Sequence, residues 1–409
     1  MSARSNLLRF GVALVLVAVV THSQTPVSQT PVTDGGIDPE LIEKAKLGDP
    51  AAEFLVSVAY RKGQGVPMNQ ALSASWARKA AEQGLPVAQY DLGLCYELGQ
   101  GVPQDDKQSL QWYEKAADQG EVDALWALVK IFDTGRGVAR DKSQAFALMI
   151  RAAESGLLKA QLQLADDYYA GQGIAVDRKQ AATWYAKAAD QGDARAQRQL
   201  GVMYEYGLGV AQDYAQAAQF YRKSADQGYA PAEFSLGLCY VHGRGVPQDY
   251  AQALNWYGKA ADQNNPDALV NLALLYIHGQ GVAKDEERAW ALLRRAAEAG
   301  SPDAQLQMGM DYEDGIHGLP KDRNLAAEWL RKSAEQGNVA AQFNLAMLLS
   351  SQPEELYFWL GLAAPHLKDD PLAKLIQIRH VAAGILGPDK CAEIDTRVKR
   401  WQADHPNQP

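Results

Sequence analysis

In AQYDLGLCYELG, residues 88–99, apolar side chains fall at Ala88, Leu92, Cys95, Tyr96 and Leu98. Spacings of three and four residues mark one stripe of an α-helix. LQWYEKAADQG, residues 110–120, carries a second stripe at Leu110, Tyr113, Ala116 and Ala117. Between them lies GQGVPQD, residues 99–105. The pattern predicts two helices, A and B, joined by a turn. Gly99 takes the left-handed backbone that ends helix A. Asp105 sits where helix B needs an N-cap, and Gln108, three residues on, has the spacing of a capping box.

The whole pattern returns every 36 residues. Gly84, Gly120, Gly156, Gly192 and Gly228 share a column, continued by Asn264, Gly300 and, after a one-residue insertion, Gly337. An aromatic column runs from Tyr60 and Tyr96 through Phe132 to Tyr312, and an alanine column from Ala52 and Ala88 to Ala304. Eight copies cover residues 49–337 and a shortened ninth covers 338–366. Two short helices cannot bury their apolar stripes alone, whereas stacked copies bury them jointly. The expected fold is therefore all-α, an α/α solenoid of antiparallel helix pairs. Small residues such as Ala116/Ala117, Gly93 and Gly237 let neighbouring backbones approach. Residues 38–48 read as a capping helix opened by Asp38-Pro39. Residues 367–409 read as two closing helices and a tail.

The unit A-x-x-x-L-G-x-x-Y-x-x-G-x-G-V-x-x-D…A…W-Y-x-K-A-A-x-Q-G, clearest over residues 196–228 and 232–263, resembles the Sel-1-like repeat, a longer relative of the tetratricopeptide repeat. That resemblance covers about three-quarters of the chain. It implies an α/α superhelix acting as an adaptor for protein complexes, with helix A lining the concave groove. In bacteria many such proteins are exported, which fits the start of this chain. Arg4 and Arg9 precede an apolar run from Phe10 to Val20, and Thr21 and Ser23 follow. The run is about half the length that spans a bilayer and has the layout of a secretory signal peptide cleaved near Ser23, the rival reading being an uncleaved anchor. Residues 24–37, rich in Pro, Thr and Gly, read as a flexible leader. The expected location is periplasmic or secreted, with no membrane insertion after cleavage.

Charge removes one class of partner. The formal net charge of −9 leaves no basic stripe for nucleic acid. Cys95 and Cys239 occupy one column in copies too distant for a disulfide, and Cys391 stands alone, so three free thiols are expected. The recurring Gly-x-Gly lacks a preceding strand and a following Lys-Ser/Thr, so it reads as a turn rather than a phosphate loop. No Ser-x-x-Lys, Gly-x-Ser-x-Gly or His-Glu-x-x-His occurs. His242 and His278 share a column and read as helix C-terminal residues. Asp311, Glu313, Asp314 and His317 form the best candidate for a cation site, against the plainer reading of solvated surface.

What remains is a face. The positions two, six and nine residues after the alanine column lie on one side of helix A and vary from copy to copy. They supply the candidate binding residues Phe54, Tyr90, Trp126, Arg198 and Phe234, then Lys130 and Asp166, then Glu97 and Tyr169, with inter-repeat core as the other reading of the aromatics. The sequence thus points to a monomeric or weakly associating exported scaffold. It would hold an extended protein or peptide segment, with no cofactor, metal or catalytic residue. The alternative is a cell-envelope enzyme or a module that binds cell-wall polymer.

Overall fold

A computed structural model describes residues 32–33, 36–367 and 369–405. The apolar run Phe10–Val20 and the cleavage position lie outside the described residues, as does most of the leader. The chain divides into two units, residues 1–155 and 156–409.

The first unit opens with the paired strands β1 (Val32–Thr33) and β2 (Gly36–Ile37), followed by α1 (Pro39–Lys46). Three helix pairs come next: α2 (Pro50–Lys62) with α3 (Gln70–Glu82), α4 (Pro86–Leu98) with α5 (Asp106–Asp118), and α6 (Val122–Thr134) with α7 (Lys142–Glu154). Ile37, inside the segment read as a flexible leader, is buried in one apolar cluster with Leu41, Ala52 and Val56. Among the described residues this short β pairing is the one departure from an all-α fold.

The second unit continues the alternation. Its pairs are α8 (Leu158–Ala170) with α9 (Arg178–Asp190), α10 (Ala194–Tyr206) with α11 (Tyr214–Ala225), and α12 (Ala230–His242) with α13 (Tyr250–Asp262). Then come α14 (Pro266–His278) with α15 (Glu286–Glu298), α16 (Pro302–Asp314) with α17 (Arg323–Glu335), and α18 (Val339–Leu348) with α19 (Pro353–Ala363). Within each unit, successive helices pack on one another, as an α/α solenoid requires. The helices α20 (Asp369–Leu386) and α21 (Pro388–Asp404) both pack on α19 and bury Leu375, Ile394 and Val398 in its cluster.

The expected N-caps are present. Asp249, for example, accepts from the backbone N–H of Ala251 (2.9 Å) and Gln252 (3.0 Å). The reciprocal half of the capping box is replaced. The N-cap's own N–H goes to the carbonyl of the aromatic column, as in Asp105 to Tyr96 (3.0 Å) and Asp249 to Tyr240 (3.0 Å). The turn thus folds back onto helix A, and Gln252 is not required to close it.

A second ladder stitches one helix pair to the next. The glutamine that closes helix B donates through Nε2 to a side chain 30 residues earlier. Gln119 reaches Gln89 (2.7 Å), Gln227 reaches Gln197 (2.8 Å), and Gln263 reaches Glu233 (2.9 Å). The acceptors are themselves buried, so each bond satisfies a polar group that water cannot reach.

Candidate interaction face

The even-numbered helices α2 to α18 are the A helices, and each sets the three variable positions on one side. In the first unit, Phe54, Tyr90 and Trp126 are half-buried, Glu97 is half-buried, and Lys130 is exposed. The Tyr90 ring lies 5.6 Å from that of Tyr113, which is wholly buried on α5. Burial, helped by Asp123, Asp91, Glu121 and Glu97, pushes the Tyr90 phenol up to about 12. Tyr90 is therefore part support, part surface.

The carboxylate Glu97 is occupied. The Tyr113 hydroxyl donates to its Oε2 at 2.6 Å, and Arg136 pairs with its Oε1 at 2.9 Å. Arg136 also binds Asp106 (2.8 Å), so one guanidinium ties α4 to α5 from the following copy's turn. Arg61 and Asp91 form a further ion pair between copies, and there burial outweighs the arginine and raises the Asp91 carboxyl.

In the second unit the charged candidates lie at one end. Asp166 accepts from the Tyr185 hydroxyl (2.5 Å) and pairs with Arg195 (2.8 Å). Glu205 accepts from Tyr221 (2.6 Å) and meets Arg244 at 3.5 Å. Tyr169 packs edge-on to Tyr185 with ring centres 6.5 Å apart, and Arg198 and Phe234 are half-buried on α10 and α12. Beyond Phe234 the face becomes apolar. Leu238, Val241, Val270, Ile277, Leu306 and Phe343 are half-buried, and Leu274, Met310 and Met347 are 42 %, 37 % and 37 % exposed. At Phe343 the face meets a cavity of about 640 Å³, which Val339, Leu367, His366 and Lys374 also line.

The tyrosines that donate to these carboxylates are functional residues that the helical pattern does not single out. Tyr113, Tyr185, Tyr221 and Tyr257 sit in one column of helix B, where they count as apolar stripe. Their hydroxyls were the available signal, because a buried O–H needs an acceptor. Their neighbours on helix A are cut to fit: a Cβ on Gly93, Gly201 or Gly237 would fall 2.7, 2.6 or 2.4 Å from the ring of Tyr113, Tyr221 or Tyr257.

The other candidates disperse. Asp311 is 1 % exposed and holds Gln307 (2.8 Å) and His317 (3.1 Å), and the His317 ring stacks on Trp290 at 3.4 Å. Glu313 and Asp314 lie nearer solvent. No three or more His, Cys, Asp or Glu are grouped to hold a metal ion among the described residues. His242 and His278 are the exposed last residues of α12 and α14.

All three cysteines are free. Burial, the leading cause in both, pushes the thiols of Cys95 and Cys239 up to about 11 and about 12, while Cys391 is partly exposed. Native protein at pH 8 should therefore react with an aromatic disulfide reagent at Cys391 alone. Unfolded, unreduced protein should release three equivalents; one or none would contradict the free-thiol assignment.

The sequence profile described as "Sel1 repeat" matches eight consecutive segments, residues 50–85, 86–121, 123–157, 158–193, 194–229, 230–265, 266–301 and 302–338. The chain belongs to the Sel1 repeat family. Each matched Sel1 segment opens at the start of an A helix, or one residue after it, and runs through the left-handed residue that closes helix B, a Gly in seven segments and Asn264 in the sixth. Two solved structures share the arrangement. A protective antigen of uropathogenic Escherichia coli displaying an SLR fold is 30% identical, with 89% of this chain and 86% of that chain covered and a TM-score of 0.57. A Sel1 repeat protein from Oxalobacter formigenes is 30% identical, with 80% of this chain and 97% of that chain covered and a TM-score of 0.61. No curated protein matches the chain. Sel1 repeats are generally protein–protein interaction scaffolds and generally non-catalytic.

Proposed function

We propose that this Sel1 repeat protein is an exported, monomeric scaffold that holds an extended protein or peptide segment against its helix-A faces, without a cofactor. The exposure of Leu274, Met310 and Met347 in successive copies of one column carries this reading. Soluble monomers rarely leave a contiguous apolar patch open unless it binds something. In the second unit the variable positions of helix A lie on that same side, while the columns that repeat are spent on packing. Among the described residues no helix is long and apolar enough to cross a membrane. Export rests on Arg4, Arg9 and the apolar run Phe10–Val20.

Two measurements test the reading. Affinity purification of the tagged protein from envelope extract should recover one stoichiometric protein species; retention on purified peptidoglycan with no protein partner would favour polymer binding instead. N-terminal sequencing of the mature protein should begin near residue 24, and an intact Met1 would contradict signal cleavage.

A further inference from the structure

Three of the four tyrosines in that helix-B column have their acceptors. Tyr113 uses Glu97, Tyr221 uses Glu205, and Tyr185 uses Asp166. Tyr257 has none. Val241 stands in the column of Glu97 and Glu205, and Leu238 in the column of Asp166. The Tyr257 side chain is 0% exposed, and its hydroxyl has no hydrogen-bond partner among the described residues. A phenylalanine would fill the same volume and leave nothing unsatisfied.

One copy earlier on the same face, Arg198 occupies the column of Tyr90 and Phe234. Its Nε is also buried without an acceptor, and among the described residues no carboxylate is within ion-pair distance. The carboxylates that flank it are engaged, Asp166 by Tyr185 and Arg195, Glu205 by Tyr221 and Arg244. The buried groups left unmet in copies five and six among the described residues, Arg198 Nε, Trp256 Nε1 and the Tyr257 hydroxyl, are all donors, and one is cationic. Phe234, Leu238, Val241 and Ile277 pack against the cluster that holds Tyr257, and none of their side chains supplies a polar group.

Taking the helix-A face as the binding surface, as above, we infer that copies five and six select a particular segment: an extended peptide with apolar side chains around an acidic residue. Its carboxylate meets Arg198, and one of its backbone carbonyls accepts from Tyr257 once the segment displaces the Leu238 and Val241 side chains packed against that cluster. Charge-assisted pairing to a guanidinium gives the stronger and more specific of the two contacts. A polysaccharide fits this chemistry less well. Its hydroxyls need donors and acceptors together, and here the free groups are donors alone. An extended peptide brings carbonyl acceptors at regular intervals and side chains for the apolar positions.

The test uses an array of random 12-residue peptides probed with the mature chain and with Y257F, V241E, R198M and L274E variants. The wild type should retain peptides enriched in Asp or Glu among Leu, Ile, Val and Phe. Y257F should lose at least tenfold in affinity for them while melting at or above the wild-type temperature. Y221F, whose hydroxyl has an acceptor, should melt lower. V241E restores the carboxylate of copies two and five, so it should also keep or raise the melting temperature and weaken peptide binding. R198M should lose the preference for acidic peptides. Unchanged affinity in Y257F and R198M, with L274E abolishing binding, would overturn this inference and leave the face itself standing. Binding unaffected by all four variants, or no peptide bound by the wild type, would overturn both.

Discussion

Gly245→Ala is expected to destabilise the protein by about 3 kcal/mol or more, and Gly228→Ala by about 1–2 kcal/mol, the usual cost of a left-handed non-glycine residue. The two glycines have nearly the same backbone, with φ of 72° and 78°, so strain alone predicts equal effects. Their surroundings differ. A Cβ at Gly228 would meet nothing within 4 Å, whereas one at Gly245 would fall 1.9 Å from the carbonyl oxygen of Tyr214. Tyr214 opens helix B of the preceding copy. The second glycine of the turn is thus the point where one copy rests on the backbone of the copy before it, and backbone gives way less readily than a side-chain tip. Gly101 makes the same approach to Gln70. Equilibrium urea denaturation of the two variants decides the matter. Equal losses would mean that the turn needs glycine for its conformation alone.

The second expectation concerns Leu274→Glu and Met310→Glu. Exposed positions away from caps and networks tolerate substitution within about 0.5 kcal/mol, so both variants should melt close to wild type. Each should nevertheless lose the protein partner, because a charge in the centre of an apolar contact must be desolvated without a counterion. Leu269→Glu, on the same helix but wholly buried, should unfold instead. Truncating the aromatics gives a less clean answer. Tyr90 and Phe234 are half-buried, and their rings lie 5.6 and 5.7 Å from those of Tyr113 and Tyr257. Alanine at either removes support for the core together with any contact to a partner. Stable variants of Leu274 and Met310 that still capture the partner would place the binding surface elsewhere.

The architecture was legible because each column of the repeat answers a local demand that recurs. An aspartate is wanted before helix B, a glycine after helix A, and alanine where backbones meet. The face was legible for a complementary reason: positions such as 54, 90, 126 and 198 change from copy to copy while the packing columns hold. Variation alone did not separate a surface group from a support. Glu97 and Asp166 vary, so they read as binding residues, yet they serve the hydroxyls of Tyr113 and Tyr185. That pairing links positions 16 and 19 residues apart, on different helices, and no helical periodicity brings them together. The capping-box glutamine went astray for a similar reason. Its intended donor, the N–H of Asp249, finds the Tyr240 carbonyl nine residues back, which only the folded turn brings into range. Asp311 read as solvated because acidic residues surround it, and its burial depends on Gln307 and His317 closing over it.

Photo-crosslinking in living cells tests the central claim most directly. A benzoylphenylalanine at position 274, on the exposed helix-A column, is compared with one at position 287, an exposed site on helix B of the same copy. The scaffold reading predicts one discrete covalent adduct with a second protein from position 274 and none from position 287. An adduct formed from position 287 alone, or no protein adduct from position 274 while the chain stays bound to cell-wall polymer, would contradict it.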